Sequence, residues 1–561
     1  MSHLRSNLSE TSALGITRRA QWTTLGIHPS ELTKPKVAIV NTSNDLAVCF
    51  AHLDGIVPVL KDELRSAGVL PFEIRTTAPS DFITSLGRAG RYILPSRDLI
   101  VDDIEAVVEG ARLDGMICLS SCDKTTPAHL MAAARLDIPT VVVPCGYQSS
   151  GLAEDGDADV EEVFLLAAQA AVTGEHDDDL LRKADQAIRG PGVCAGLATA
   201  NSMHILAEAL GMAVTASAPV RAQGDRMWDS VRRSARALAG LIETGRRPRD
   251  IITEASVRNA ARTMLAIGAS VNTIKHLQAI AVEAGLDVDV WGVYRDLGRE
   301  TPLLTAVRPN GPWLIEDLDD AGGAATLIRE LSPLLDGTAL TVDGGTVADN
   351  AAAARSADGD AIRTLADPFG HDPAIVVVRG TLGGGVAKRP VPDTEARTFT
   401  GPARVFATRD EAIDGIASGR LRPGDVAVVR GIGVTGAPGM GLTSAFIFAL
   451  HARGLADRVA FVTDGQFSGL VNQGVTVGEV SPEAAAPRAP LGLVRDDDLI
   501  AIDLAAGTLD LLVDAEELAA RPDYVPPERP AGDDSVMLDQ YRALVQPLEC
   551  GAVLCARPCS R

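Results

Sequence analysis

The sequence predicts an α/β fold in two parts, a layered N-terminal domain over residues 1–368 and a β-rich C-terminal domain over residues 369–561. Three observations predict it. Through most of the first part, short β-rich runs alternate with helical patterns, as expected of strands covered by helices. At LADPFGHDPAIVVVRG (365–380) the alternation stops, and short strands separated by Gly-rich turns follow. With 561 residues, 46% hydrophobic and 22% charged, the chain can fill two cores.

Taken in order, PKVAIVNTS (35–43) reads as a strand, DGIVPVLKDELRSAG (54–68) as a helix and DGMICLSS (114–121) as the next strand. Between the last two, Leu99, Ile100, Ile104, Val107 and Val108 recur at helical spacing behind Ser96, which predicts an amphipathic helix capped by that serine. NSMHILAEALGM (201–212) predicts another. The second part offers strands in GGGVAK, GPARVF, GDVAVVRG, DRVAFVTDG and LIAIDLAAGTLDLLV. From Arg521, the prolines 522, 526, 527 and 530 predict an extended strap over the surface. The acidic runs AEDGDADVEE and EHDDD read as solvated loop faces.

A formal net charge of -22 argues against nucleic acid or anionic membrane as partners and leaves small molecules or further copies of the chain. No run of eighteen apolar residues exists, and the N-terminus lacks the apolar segment of a signal peptide, so a cytoplasmic location is expected. Eight cysteines in so long a chain predict reduced thiols rather than a disulfide framework.

Cys49 in NTSNDLAVC, Cys122 in SSCDK and Cys194 in GPGVCAGLATAN each follow a predicted strand, and loops at the carboxyl ends of strands converge in open α/β sheets. Their separations, 73 and 72 residues, match no short zinc or ferredoxin spacing, so three unrelated buried thiols is the competing reading. Asp123 and Lys124, beside Cys122, shift the balance, since adjacent anions need cations to hold them. Asp81 in PSDFITSLG could give a hard divalent ion a second oxygen, or simply cap a helix or turn. Ser468 in TDGQFSG could act as nucleophile or base, or be an ordinary turn serine; His276 reads as a core histidine. Gly431 to Gly436 fit the G-x-G-x-x-G fingerprint, but Pro438 and Gly439 interrupt the expected helix, which favours a loop whose backbone closely approaches a substrate or another domain. The closing Cys550, Cys555 and Cys559 stay unassigned.

NTSNDLAVC, SDFITSLG, RYILPSRDLI, SSCDKTTPAHLMAAARLDIP, GVCAGLATANSMHILAEALGM, GASVNTIKHLQAIA, IEDLDDAGG, GPARVF, TDGQFSG and VGEVSPEAA together resemble, in order, the dihydroxy-acid and sugar-acid dehydratases, including the phosphogluconate dehydratases. The resemblance implies an N-terminal α/β/α domain carrying an iron–sulfur cluster, a C-terminal β-barrel-like domain, and an active site between them in a homodimer or homotetramer. It implies that Cys49, Cys122 and Cys194 bind the cluster, with [2Fe–2S] favoured over [4Fe–4S]. It further implies that Asp81, Asp123 and a carbamylated Lys124 bind magnesium, and that Ser468 is the base. The implied activity is a hydro-lyase that turns a 2,3-dihydroxy carboxylic acid, or a sugar acid, into a 2-keto acid. The alternatives are a non-catalytic iron–sulfur sensor or scaffold and a nicotinamide-dependent oxidoreductase.

The sequence departs from the family at three places. Relatives carry PGMPE, with a magnesium-binding glutamate; here Pro438-Gly439-Met440-Gly441-Leu442-Thr443 has no acid. An extra water on magnesium is expected in its place, with Glu479 as substitute or loss of the metal as the other options. Leu470 and the loop Cys145-Gly146-Tyr147-Gln148 replace smaller or different residues and are expected to face the pocket, away from the simple valine and isoleucine precursor. Cys145 is read as a pocket-lining or buried thiol rather than a cluster ligand.

Overall fold

The computed structural model describes the chain except residues 1–3, 10, 86–89, 154–155, 175–177, 358, 390–396, 470, 472–473, 528–534 and 556–561. Leu470 and Cys559 therefore lie outside the described residues.

Strands β1 (Lys36–Asn41), β2 (Leu70–Arg75), β3 (Gly115–Ser120) and β4 (Thr140–Pro144) form a parallel sheet in the order β2-β1-β3-β4. Parallel neighbours need crossovers, supplied by helices such as Ile56–Ser66, Ile93–Ala111 and Thr125–Leu136. Packed helices leave β1, β3 and β4 wholly buried, which is why they read as continuous apolar runs rather than alternating ones. A small antiparallel sheet follows, built from β5 (Ser149–Ala153), β6 (Gly156–Ala158) and β7 (Ile188–Arg189).

The remaining strands are β8 (Ile375–Gly380), β9 (Gly383–Lys388), β10 (Thr398–Phe406), β11 (Val426–Val429), β12 (Ala460–Thr463), β13 (Thr476–Ser481), β14 (Leu499–Asp503) and β15 (Thr508–Leu511). They close into a barrel of order β10-β11-β12-β13-β9-β8-β15-β14, with β14 returning antiparallel to β10. Val378, Val428, Val462, Val477, Ile500 and Leu509 belong to one buried cluster of this barrel, as an eight-stranded interior requires. The fold is thus an N-terminal α/β domain with a C-terminal closed barrel. No helix among the described residues is long and apolar enough to cross a membrane.

Four local expectations are corrected. The helix behind Ser96 begins at Ile93, so Ser96 is interior and its hydroxyl donates to the Ile93 carbonyl at 2.7 Å; Ile100, Ile104 and Val108 face inward while Leu99 and Val107 are exposed. The tail is not simply a strap. Val536–Leu544 is a helix, and the chain then returns to the N-terminal domain, where buried Arg97 donates to the Gly551 and Ala552 carbonyls at 2.9 and 2.7 Å. Cys550 is buried and disulfide-bonded, so the thiols are not all reduced. In the acidic run, Asp159 is buried, caps the helix Val160–Thr173 and lies 3.5 Å from Arg308, rather than being a solvated face.

Candidate active site

The chain runs from β1 outward to β2, then returns to place β3 on the other flank of β1, so the strand order reverses between β1 and β3. A crevice opens at such a point, beyond the carboxyl ends of the strands. Cys49 follows β1, Asp81 follows β2, Cys122-Asp123-Lys124 follow β3 and Gln148 follows β4. In the barrel β10, β11 and β12 also run parallel, and Arg409, Leu442 and Ser468 follow them in turn. Both sets of loops line one cavity of about 620 Å³, and all seven residues singled out from the sequence are in its wall: Cys49, Asp81, Cys122, Asp123, Lys124, Cys194 and Ser468.

Hydrogen bonds within SSCDKTTP explain how its turn is held. The Ser121 hydroxyl donates to the Cys49 carbonyl, tying the loop after β3 to the loop after β1. The Ser121 amide donates to Thr125 Oγ1 at 3.0 Å, and that hydroxyl donates to the Cys122 carbonyl at 3.0 Å. His204 Nε2 donates to the Ser121 carbonyl at 3.1 Å. Cys122 and Asp123 thereby precede the N-terminus of the helix Thr125–Leu136, where the helix dipole favours negative charge. Asn201 fixes the third cysteine loop, its amide donating to the Cys194 and Gly196 carbonyls at 2.7 and 2.9 Å.

The Cys49 and Cys122 thiols are hydrogen-bonded to each other, and that contact together with burial pushes the Cys122 thiol well up. Cys122 Sγ also lies 4.0 Å from the Ser80 hydroxyl and from an Asp81 oxygen. Such thiols lose their protons only to a cation, which is the donor chemistry of a metal–sulfur group. Among the described residues no three His, Cys, Asp or Glu side chains stand close enough to hold one metal ion. Three thiols round a single cavity instead fit a multi-atom cluster, whose irons share the ligands between them.

Asp81 and Asp123 are pushed in opposite directions. Burial and the neighbouring Asp123 charge push Asp81 well up, whereas at Asp123 burial is outweighed by Lys124, which holds it down. The Lys124 ammonium is buried and donates to Asp123 at 3.2 Å; the two acids raise it against burial. Two carboxylates fit a magnesium ion that keeps several waters, but an ammonium fits no metal.

Glu479 is the residue whose expected alternative role the structure changes. It sits at a register irregularity of β13 with φ +56°, and its side chain accepts from Lys275 instead of lining the cavity. Both residues are fully buried, and burial pushes Lys275 down to about 8 despite the attraction of Glu479. Lys275 also donates to Asn272, whose amide donates to Thr199 Oγ1 at 3.0 Å and to the Phe467 carbonyl at 3.4 Å, one residue before Ser468. The sequence reading missed Lys275, Asn272 and Asn201. A lysine inside the otherwise apolar SVNTIKHLQAIAVEAG was the available signal. His276, beside it, is the buried core histidine expected, its Nδ1 3.3 Å from Arg97.

Of the loop after β4 only Gln148 reaches the cavity. Cys145 is fully buried with Sγ 3.3 Å from the Val143 carbonyl, and the Tyr147 hydroxyl donates to Asp319 at 2.7 Å.

The Gly431 loop cannot cradle a pyrophosphate. Asp464 accepts from the Gly431 and Ile432 amides and from Ala484, each at 3.0 Å, and Glu483 accepts from the Thr435 and Gly436 amides at 3.1 Å. Carboxylates already occupy the donors that a dinucleotide needs. A side chain at Gly439 would put its Cβ 1.8 Å from the Arg91 carbonyl, so this loop is the close backbone approach to the other domain. Asp464→Asn is expected to cost about 1–3 kcal/mol by leaving an amide unmatched, read as a lowered melting temperature with no gain of NAD binding.

Two family descriptions match the chain: dihydroxy-acid/6-phosphogluconate dehydratase N-terminal over residues 34–350 and the corresponding C-terminal description over residues 360–552. The dihydroxy-acid dehydratase of Methanothrix thermoacetophila is 38% identical over 558 residues, covering 98% of this chain and 100% of the relative. That of Ignicoccus hospitalis is 37% identical over 510 residues, covering 90% and 91%. That of Aquifex aeolicus is 36% identical over 542 residues, covering 96% and 97%.

Proposed function

The chain belongs to the dihydroxy-acid/6-phosphogluconate dehydratase family and is a hydro-lyase for dihydroxy acids, and we propose that it converts a 2,3-dihydroxy carboxylic acid to its 2-keto acid with Ser468 as base. The observation that carries the proposal is the single cavity lined by Cys49, Asp81, Cys122, Asp123, Lys124, Cys194 and Ser468. Cys49, Cys122 and Cys194 would hold an iron–sulfur cluster, taken as [2Fe–2S], and Asp81 and Asp123 would hold magnesium, joined by Lys124 once carbamylated. When bound, these groups supply Lewis acidity toward the departing hydroxyl and the substrate carboxylate.

The side chains account for the rest. Ser468 removes the C2 proton and returns it to the C3 hydroxyl, which leaves as water, and the enol then loses its own hydroxyl proton as C3 gains one, giving the 2-keto acid. A serine needs help to act as base at neutral pH. Ser468 has it from position: its amide donates at 2.8 Å to Ser444 Oγ, the first residue of the helix Ser444–Ala452, whose N-terminal partial charge favours an oxyanion nearby. Before that modification the buried Lys124 ammonium donates to Asp123 at 3.2 Å and offsets the charge of the acid pair; carbamylation would turn it into an anionic oxygen ligand and leave that charge to magnesium.

Anaerobic cluster reconstitution followed by assay of keto-acid formation on a panel of dihydroxy and sugar acids tests the proposal; a reconstituted protein that dehydrates none of them refutes it. Ser468→Ala is expected to lower kcat about 10²-fold with KM little changed, because a base acts only in the transition state. We further propose a cytoplasmic homodimer or homotetramer, to be checked by fractionation and light scattering.

A further inference from the structure

Resting on the hydro-lyase reading, we infer that the substrate is an unphosphorylated dihydroxy acid whose carbon chain beyond C3 is a sizeable apolar tail, aromatic or alkyl, rather than a polyol or a sugar phosphate. The cavity is divided by chemistry. Its inner wall carries the polar residues already described. Two of these keep unspent hydrogen-bonding atoms: Gln148 Nε2 and Asn201 Oδ1 have no partner, although the side chains are only 2% and 1% exposed. A buried donor and a buried acceptor left open in a cavity wall are costly unless a ligand completes them, and a carboxylate with a neighbouring hydroxyl offers both complements.

The outer wall is the reverse. Val48, Phe82, Ile83, Phe164, Ile188 and Leu442 line it, and the first five are 36–46% exposed, an unusual concentration of large apolar side chains facing solvent. The Phe82 ring meets Phe164 edge-on at 5.6 Å, and Phe164 meets buried Phe448 in the same way at 5.6 Å, so a row of rings runs from the mouth into the core. These six side chains give hydroxyl groups nothing to bond. A phosphate finds little more: among the described lining residues Lys124 is buried and held by Asp123, so the partly exposed Arg409, bonded through Nε to Asp410 at 2.8 Å, is the one accessible cation. The amides of the Gly431 loop are occupied by Asp464 and Glu483. An apolar tail, by contrast, gains by leaving water against these side chains.

The test compares kcat/KM of the reconstituted enzyme for dihydroxyoctanoate, dihydroxy-phenylpropanoate, the branched five-carbon dihydroxy acid, gluconate and 6-phosphogluconate. Calorimetric binding of the corresponding 2-oxo acids is measured in parallel. The octanoate and phenyl acids are expected to lead, with about fourfold gained per buried methylene, and Phe82→Ala to remove about tenfold from them while leaving gluconate within about twofold. A lead for gluconate, 6-phosphogluconate or the branched acid overturns the inference and leaves the hydro-lyase reading standing. Absence of turnover on every acid, with 2-oxo acid binding still graded by tail, overturns the catalytic reading and upholds the apolar subsite. If Phe82→Ala and Ile188→Asn change the size of the assembly but not the ranking of tails, the patch is a contact between copies and the inference falls.

Discussion

Cys122→Ser is expected to yield a folded protein that, after anaerobic reconstitution, lacks the visible chromophore and dehydrates dihydroxy acids on the order of 10³-fold more slowly. The magnitude follows from the several kcal/mol that a Lewis acid contributes, at about tenfold per 1.4 kcal/mol. Serine keeps the size of the side chain but not the thiolate, and the Cys122 backbone is held independently by Ser121, Thr125 and His204, so the fold has no reason to fail. Cys49→Ser and Cys194→Ser are expected to behave alike, because each thiol stands on its own loop round the same cavity. Absorption and electron-spin spectra read the effect without reliance on activity. Retention of the chromophore in all three variants refutes the assignment. Cys145→Ser serves as the control, since its thiol is buried away from the cavity and its loss is expected to leave the spectrum unchanged.

Lys275→Met is expected to destabilise the protein by about 3–5 kcal/mol, since it strands the Glu479 carboxylate in a site with no exposure. One Glu479 oxygen already lacks a partner, so nothing nearby can take over from the ammonium. The same change frees Asn272, which bonds the Phe467 carbonyl, and kcat is therefore expected to fall through loosened placement of Ser468. Combining Lys275→Met with Glu479→Gln removes both charges and is expected to recover most of the stability, because the cost lies in the unpaired charge rather than in loss of the pair. Denaturant unfolding of the single and double variants separates the two contributions. A double variant no more stable than the single would place the cost in packing instead.

Much of the fold was legible because its strands carry their burial in their composition. β1, β3 and β4 are buried, and their unbroken apolar runs say so. The helix start at Ile93 was not legible, since Ser96 looks like a cap only until the preceding turn is seen to be helical and its hydroxyl is seen to bond Ile93. The tail misled for a related reason. Its prolines describe local stiffness, whereas its burial is set by Arg97, more than 450 positions away, bonding Gly551 and Ala552.

For the candidate site, the sequence by itself determined which residues bear chemistry: three thiols after strands, an acid and a lysine beside one of them, an acid after another strand and a serine in a late loop. These follow from residue type and local pattern, which are short-range properties. Only the tertiary structure decided which of them meet, since the parallel order β2-β1-β3-β4 and the parallel run through β10, β11 and β12 bring distant loops to one cavity. It also decided that Asp464 and Glu483 close the glycine loop and that Glu479 answers to Lys275. The physical reason is that a hydrogen bond or an ion pair depends on distance in space, and nothing in the local sequence around Glu479 records that a lysine 204 positions earlier is folded against it.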